Sequence, residues 1–337
     1  MKKSFCIFSI FVLCFAGTAM AQKAVTQQQT AKAEQEDASA LNRRGVQYYL
    51  EKDYVQAIKC FRAAAEQGHA VAQYNLGTCY QEGKGVTQNY AEAVKWIRKA
   101  AENGHSSAQH NMGDSYYYGH GVSKDVAEAI KWYKKSAEQG HMSAQKALGD
   151  IYYYAKGVPQ NDAEAVKWYR MAAVQGDDDA QFCLGSCLSE GRGVSKDYEE
   201  ARYWFLIAAE HGNQYAKFAL GCFYLEGKGV AQDNSEAVKW IKEAAEQGLD
   251  VAQYTLGCCY LGGKVVPQDY VKGAEWLKKA AGQRNAEAQY LLGCLYYSGQ
   301  GVAQDYNEAV KWLKLAAEKG NKEAIEALKT IEENNKK

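Results

Sequence analysis

Residues 72–85 read AQYNLGTCYQEGKG, and the chain returns to this frame at a fixed interval. Alanine recurs at 72, 108, 144, 180, 216, 252, 288 and 324, a spacing of 36 residues each time. Glycine follows five residues later at 77, 113, 149, 185, 221, 257 and 293. All seven tryptophans, Trp96, Trp132, Trp168, Trp204, Trp240, Trp276 and Trp312, occupy one position of the period. Such a period marks stacked supersecondary units that bury their apolar faces on one another rather than around one closed core.

Within the period, Ala72, Leu76, Gly77 and Tyr80 fall at helical spacing and outline a first helix. A Gly-x-Gly-Val segment follows (Gly83, Gly85, Val86; later Gly119, Gly121, Val122), suited to a turn that needs positive φ. A second helix is announced by Asn89, Asp125, Asn161, Asp197, Asp233, Asp269 and Asp305, with glutamate three residues on in six of the seven units. That is the pattern of a capping box, each cap contributing about 1 kcal/mol. Gly104, Gly140, Gly176, Gly212, Gly248 and Gly320 end the second helices, with Arg284 as the exception. Ala93, Trp96 and Ala100 line the inner face, small residues allowing close approach.

The frame A-x-x-x-L-G-x-x-Y, then G-x-G-V, then D/N-x-x-E-A, then W and an alanine pair before glycine, resembles the Sel-1-like repeat (SLR) family, 36-residue relatives of tetratricopeptide repeats. Seven such repeats occupy 72–323. A shorter unit at 39–71 resembles a tetratricopeptide unit through Gly45, Tyr48, Ala57, Phe61 and Ala64, and residues 324–337 read as a capping helix with Ala324, Ile325, Leu328 and Ile331 inward. The resemblance implies an all-α, right-handed α/α solenoid of stacked helix-turn-helix repeats that serves as a scaffold for protein or peptide binding.

Outside the array, Lys2 and Lys3 precede an apolar run from Phe5 to about Ala16 and the small-x-small site Ala19-Met20-Ala21, so 1–21 reads as a signal peptide. The expected product is exported, periplasmic or secreted, and is not an integral membrane protein after cleavage. Residues 22–38 read as a flexible arm. Removing the leader leaves 38 basic and 40 acidic residues, interspersed, so nothing recruits nucleic acid.

In tetratricopeptide-like arrays the first helix lines a concave groove. Carrying that over places Tyr74, Phe182, Phe218, Tyr254 and Tyr290 three residues before the glycine, and Tyr117, Tyr118, Tyr153, Tyr154 and Tyr297 four or five after it. Asp114 and Asp150 stand one residue after it, beside the tyrosine cluster. A tyrosine-rich groove with two carboxylates suits a partner that offers aliphatic surface and amide or amine donors.

Chemistry is sparse. Eight cysteines follow the leader; Cys60 and Cys79, on a second helix and the next first helix, are the pair to test for a disulfide. The stapling pattern of cysteine-rich secreted SLR proteins is absent, since alanines 101, 137, 173 and 209 hold its late-helix position. No metal site or cofactor is implied. His69, His105 and His141 read as turn or cap residues. Ser143 and Lys146 match the S-x-x-K of penicillin-interacting enzymes, but no S-D-N or K-T-G motif accompanies them. The expected function is a non-catalytic exported scaffold or adaptor that binds a peptide or partner protein. The alternative is an enzyme or binder that acts on β-lactams or on peptidoglycan fragments. One repeat departs from the frame at several points, with Val265, Lys272, Gly273 and Arg284, and is expected to open first.

Overall fold

The computed structural model describes residues 37–334. The signal peptide assigned to 1–21 and the arm at 22–36 lie outside the described residues. Among the described residues there are seventeen α-helices and no strand, and the chain divides into two compact units after His141.

In the N-terminal unit, α1 (Ala38–Leu50) pairs with α2 (Tyr54–Glu66), α3 (Ala70–Glu82) with α4 (Tyr90–Glu102), and α5 (Ser106–Tyr118) with α6 (Val126–Glu138). In the C-terminal unit the pairs are α7 (Met142–Tyr153) with α8 (Asp162–Val174), α9 (Asp178–Glu190) with α10 (Tyr198–Glu210), and α11 (Gln214–Glu226) with α12 (Asn234–Glu246). Then come α13 (Asp250–Gly262) with α14 (Tyr270–Gly282) and α15 (Ala286–Ser298) with α16 (Tyr306–Glu318), and α17 (Lys322–Asn334) closes the series. Within each unit every helix packs on the next, the α/α solenoid architecture. α1 takes in Ala38, the last residue assigned to the arm, and α17 starts two residues before the expected capping helix.

The period is a packing period. Leu76 and Met112 in the N-terminal unit, and Leu148, Leu184, Leu220, Leu256 and Leu292 in the C-terminal one, are at most 1% exposed. The glycine beside this leucine permits close helix contact: a Cβ at Gly77 would stand 2.5 Å from Ile97 Cγ1 and 3.1 Å from the Ala93 carbonyl oxygen. Trp132, Trp168 and Trp204 are buried, and the other four tryptophans are half-buried with a lysine over each ring.

All seven expected caps of the second helices form, each Asn or Asp side chain accepting from the N–H three residues on. The reciprocal half of the capping box does not. The N–H of Asn89 already donates to the Tyr80 carbonyl (2.9 Å), and that of Asp125 to the Tyr116 carbonyl (2.8 Å). The box glutamate turns away, Glu92 to Lys95 (2.8 Å) and Glu164 to the Trp168 indole N–H (3.2 Å). First helices are capped too: His69 Nδ1 and His105 Nδ1 accept from Ala72 and Ala108 N–H at 3.2 Å, and Asn213 and Asn285 Oδ1 do the same for α11 and α15.

Successive hairpins are also joined by a buried amide. Gln73 Nε2 donates to the Ala65 carbonyl (3.1 Å) in the last turn of α2, and Gln109 repeats this to Ala101 (3.0 Å). Gln181, Gln253 and Gln289 do so in the C-terminal unit, to Ala173, Ala245 and Ala281. Each of these carbonyls also accepts the backbone N–H three residues on, as Ala65 does from Gly68 (3.0 Å), so the amide adds a second donor at the helix end and a link between hairpins. Lys217 replaces this glutamine in α11 and pairs with Glu243 (2.9 Å).

One expectation needs correction. In α17, Ala324 is buried and Leu328 and Ile331 pack against the core, whereas Ile325 is 38% exposed, at the edge of the apolar stripe. Cys60 and Cys79 are separate buried thiols, Cys60 Sγ accepting from Arg44 Nε (3.5 Å).

Candidate functional site

The residues assigned to the groove lie on the first helices, which leave one row half-buried while the leucine row is sealed. In the N-terminal unit, Tyr74 of α3 forms a wall of a hollow of about 310 Å³, with Val46, Tyr49 and Phe61 on its apolar side and Asn75, Thr78 and Glu82 on its polar side. The Tyr74 ring stacks on His105 at 4.7 Å and 21°. At the end of α5, Tyr117 meets Tyr118 edge-on at 4.9 Å, and Tyr118 is 62% exposed. His120 lies between the rings of Tyr118 (5.7 Å) and Tyr90 (5.4 Å), which extends the exposed aromatic surface.

The C-terminal unit repeats the arrangement. Tyr153 and Tyr154 meet edge-on at 4.8 Å, Tyr154 being 56% exposed. The Arg192 guanidinium sits over Tyr153 at 4.0 Å, and burial pushes the Tyr153 phenol up to about 12. Phe182 is half-buried between Phe205 and Tyr215, both at 5.8 Å, and Phe218 packs on the core formed around α12 and α13. Tyr254 and Tyr290 are half-buried, each beside the cysteine one turn on, Cys258 and Cys294. Tyr297 is 40% exposed and meets Tyr306 edge-on.

The two aspartates are engaged from within. Tyr133 donates to Asp114 Oδ1 (2.6 Å) and Tyr169 to Asp150 Oδ1 (2.8 Å), the tyrosines being 2% and 0% exposed. Burial, reinforced by the neighbouring carboxylate, raises both phenols far above their ordinary value. The outer oxygens face His110 (3.5 Å) and Lys146 (3.0 Å). Asp stands at this position only in the two hairpins whose second helix carries tyrosine. Where that residue is Ile97, Phe205, Ile241, Leu277 or Leu313, the position holds Thr78, Ser186, Cys222, Cys258 or Cys294. These carboxylates serve the core first and are not an open pair for a partner's amine. The pairing of exceptions in two columns was the signal for it.

Among the described residues, the lysine and cysteines singled out above are not poised for catalysis. Burial works against the charge of Lys146, but Asp150 outweighs it and the pKa is raised, so the S-x-x-K lysine is an ammonium rather than a base. Burial pushes the thiols of Cys79 and Cys222 up to about 11 and of Cys183 and Cys187 up to about 12, away from the thiolate needed of a nucleophile.

Comparison with known proteins gives these features a context. The model of the Sel1 repeat matches eight segments, 38–69, 70–105, 106–141, 143–177, 178–213, 214–249, 250–285 and 286–321, so the short first unit is matched as well. The structure is similar to that of a protective antigen present in uropathogenic Escherichia coli strains displaying an SLR fold. That match has 38% identity and a TM-score of 0.81, over 90% of this chain and 66% of the other. This chain thus spans just under two thirds of that protein. It is also similar to a Sel1 repeat protein from Oxalobacter formigenes, with 38% identity and a TM-score of 0.73 over 91% and 90% of the two chains. No curated protein matches the sequence.

Proposed function

The chain belongs to the Sel1 repeat family, and from that premise we propose that it is a non-catalytic, exported scaffold that holds a peptide or partner protein on the tyrosine-bearing face of its first helices. Repeats of this family are typical of protein–protein interaction. The carrying observation is the pair of exposed tyrosine clusters, one per unit, Tyr117 with Tyr118 and Tyr153 with Tyr154, on helices whose other faces are locked in the core. Tyrosine offers large contact area and a hydroxyl while losing little conformational freedom, which is why it is enriched where partners bind. The surrounding row varies from repeat to repeat while the frame does not, which is where a scaffold encodes selectivity. Export is supported by the basic start, apolar run and Ala19-Met20-Ala21 of the leader.

A test is selection of peptides from a displayed random library on the mature chain, followed by calorimetry. Tyr118→Ala with Tyr154→Ala is expected to weaken a selected peptide at least about tenfold, as loss of interface tyrosines does. Lys131→Ala, in an exposed pair with Glu128 on a second helix, is expected to leave it unchanged. Equal binding by all three proteins would remove the assignment.

A further inference from the structure

His105 touches two parts of the N-terminal face, the start of α5 and the Tyr74 ring. Its Nδ1 accepts the Ala108 N–H at 3.2 Å and so caps α5, the helix that carries Asp114, Tyr117 and Tyr118. Its ring also stacks on Tyr74, which walls the 310 Å³ hollow. The cap needs the imidazole neutral, whereas the stack on Tyr74 does not. A protonated Nδ1 has no lone pair to accept with, and the added charge would sit at the positive end of the α5 dipole.

The surroundings do not stabilise that charge. The titratable groups facing the ring are the Tyr74 phenol from α3 and His141, three residues past the end of α6. Behind His141 stands His110 of α5, stacked on it at 4.8 Å and facing Asp114 at 3.5 Å. Asp114 in turn holds the Tyr133 proton. Acid therefore adds charge to neighbouring imidazoles that oppose one another once protonated, and at His141 only Asp114 acts the other way. Burial lowers the His105 pKa from its ordinary 6.5, and burial with the neighbouring His110 lowers that of His141. A depressed histidine binds its proton more readily in the unfolded chain. Its contribution is complete above about 6.5 and is lost as pH falls from there through the lowered native value. The C-terminal unit caps α11 and α15 at the same repeat position with Asn213 and Asn285, which do not titrate.

We propose that His105 is an acid-operated latch on the N-terminal face: neutral, it caps α5; protonated, it lets go of the cap, the first turn of the helix that carries Tyr117 and Tyr118 loosens, and the face releases what it holds. The proposal rests on the reading of this face as the binding surface.

The test uses the mature chain and His105→Asn, a variant that installs the cap already used at 213 and 285. Hydrogen exchange is measured at pH 7.5 and 5.0 and corrected for the intrinsic rate. Protection of the first turn of α5 is expected to fall about five- to tenfold in the wild type, the worth of one cap. It should stay constant in the variant, and the first turns of α11 and α15 should stay constant in both proteins. An α5 change no larger than that of α11, or an equal change in the variant, overturns the latch. A peptide selected at pH 7.5 and sensitive to Tyr118→Ala should weaken at pH 5.0 on the wild type and not on His105→Asn. A sensitive peptide held equally by the wild type at both pH values overturns the latch and leaves the binding face standing. A peptide indifferent to Tyr118→Ala at pH 7.5 overturns both.

Discussion

Gly85→Ala acts where the second hairpin touches the first. The backbone there stands at φ +71°, and an added Cβ would lie 2.6 Å from the carbonyl oxygen of Tyr54, 2.7 Å from its carbonyl carbon and 2.8 Å from its Cβ. Holding alanine in the left-handed region costs about 1 kcal/mol. The contact adds to this, because the atoms met are the backbone at the first residue of α2, which cannot move without disturbing the Asp53 cap; overpacking of this kind costs about 1–3 kcal/mol. The sum is about 3 kcal/mol. Gly104, at the end of the same hairpin, has φ +86° and nothing within 4 Å of an added Cβ, so Gly104→Ala should cost only the backbone term, about 1 kcal/mol. The difference isolates the junction. Urea unfolding followed by tryptophan fluorescence, with hydrogen exchange to localise the loss, should show Gly85→Ala loosening both α1–α2 and α3–α4, since repeat stability is shared with neighbours. Equal penalties for the two variants, or loosening confined to the second hairpin, would refute the reasoning.

Other consequences follow from the buried contacts. Asp114→Ala should cost about 1–3 kcal/mol by orphaning the Tyr133 hydroxyl, and close to nothing in a Tyr133→Phe background, so a double-mutant cycle by urea unfolding should show strong coupling. Gln253→Leu should cost about 1–2 kcal/mol, the net worth of the two hydrogen bonds it removes, to the Ala245 carbonyl and from the Gln283 amide (2.9 Å), each of which keeps a second partner at Gly248; a neutral result would demote the glutamine link to a passenger. The α13–α14 hairpin should exchange its amides first. Besides Val265 and Gly273 it has no side-chain cap at Leu249, and Arg284 is held at φ +70°, so uniform protection across all hairpins would contradict the comparison.

The array was legible because its signals are local. Caps at Asn89 and its equivalents, left-handed glycines such as Gly104, and the leucine–glycine step each depend on neighbours within a few residues, and 36-residue repetition made chance agreement implausible. What escaped was non-local. Gln73 drew no reading from the sequence, yet it is 4% exposed, its amide reaching a carbonyl eight residues back and its oxygen receiving Asn103 thirty residues on. Asp114 and Asp150 looked like groove carboxylates because their tyrosine partners lie 19 residues away on another helix. The box glutamates were misjudged because the cap N–H had a tertiary acceptor, the carbonyl of Tyr80 and its equivalents, that a local motif does not reveal. Tyr118 and Tyr154 were placed by repeat position alone, and both side chains are exposed.

The central claim is that partners engage the first-helix face, and site-specific photo-crosslinking addresses it most directly. A photoreactive phenylalanine is placed at Tyr118 and Tyr154 and, in separate proteins, at Lys131 and Lys239 on exposed second-helix surface. Irradiation with a library-selected peptide should give adducts at the tyrosine positions and none at the lysine positions. Adducts at Lys131 or Lys239 with none at Tyr118 or Tyr154 would contradict the account.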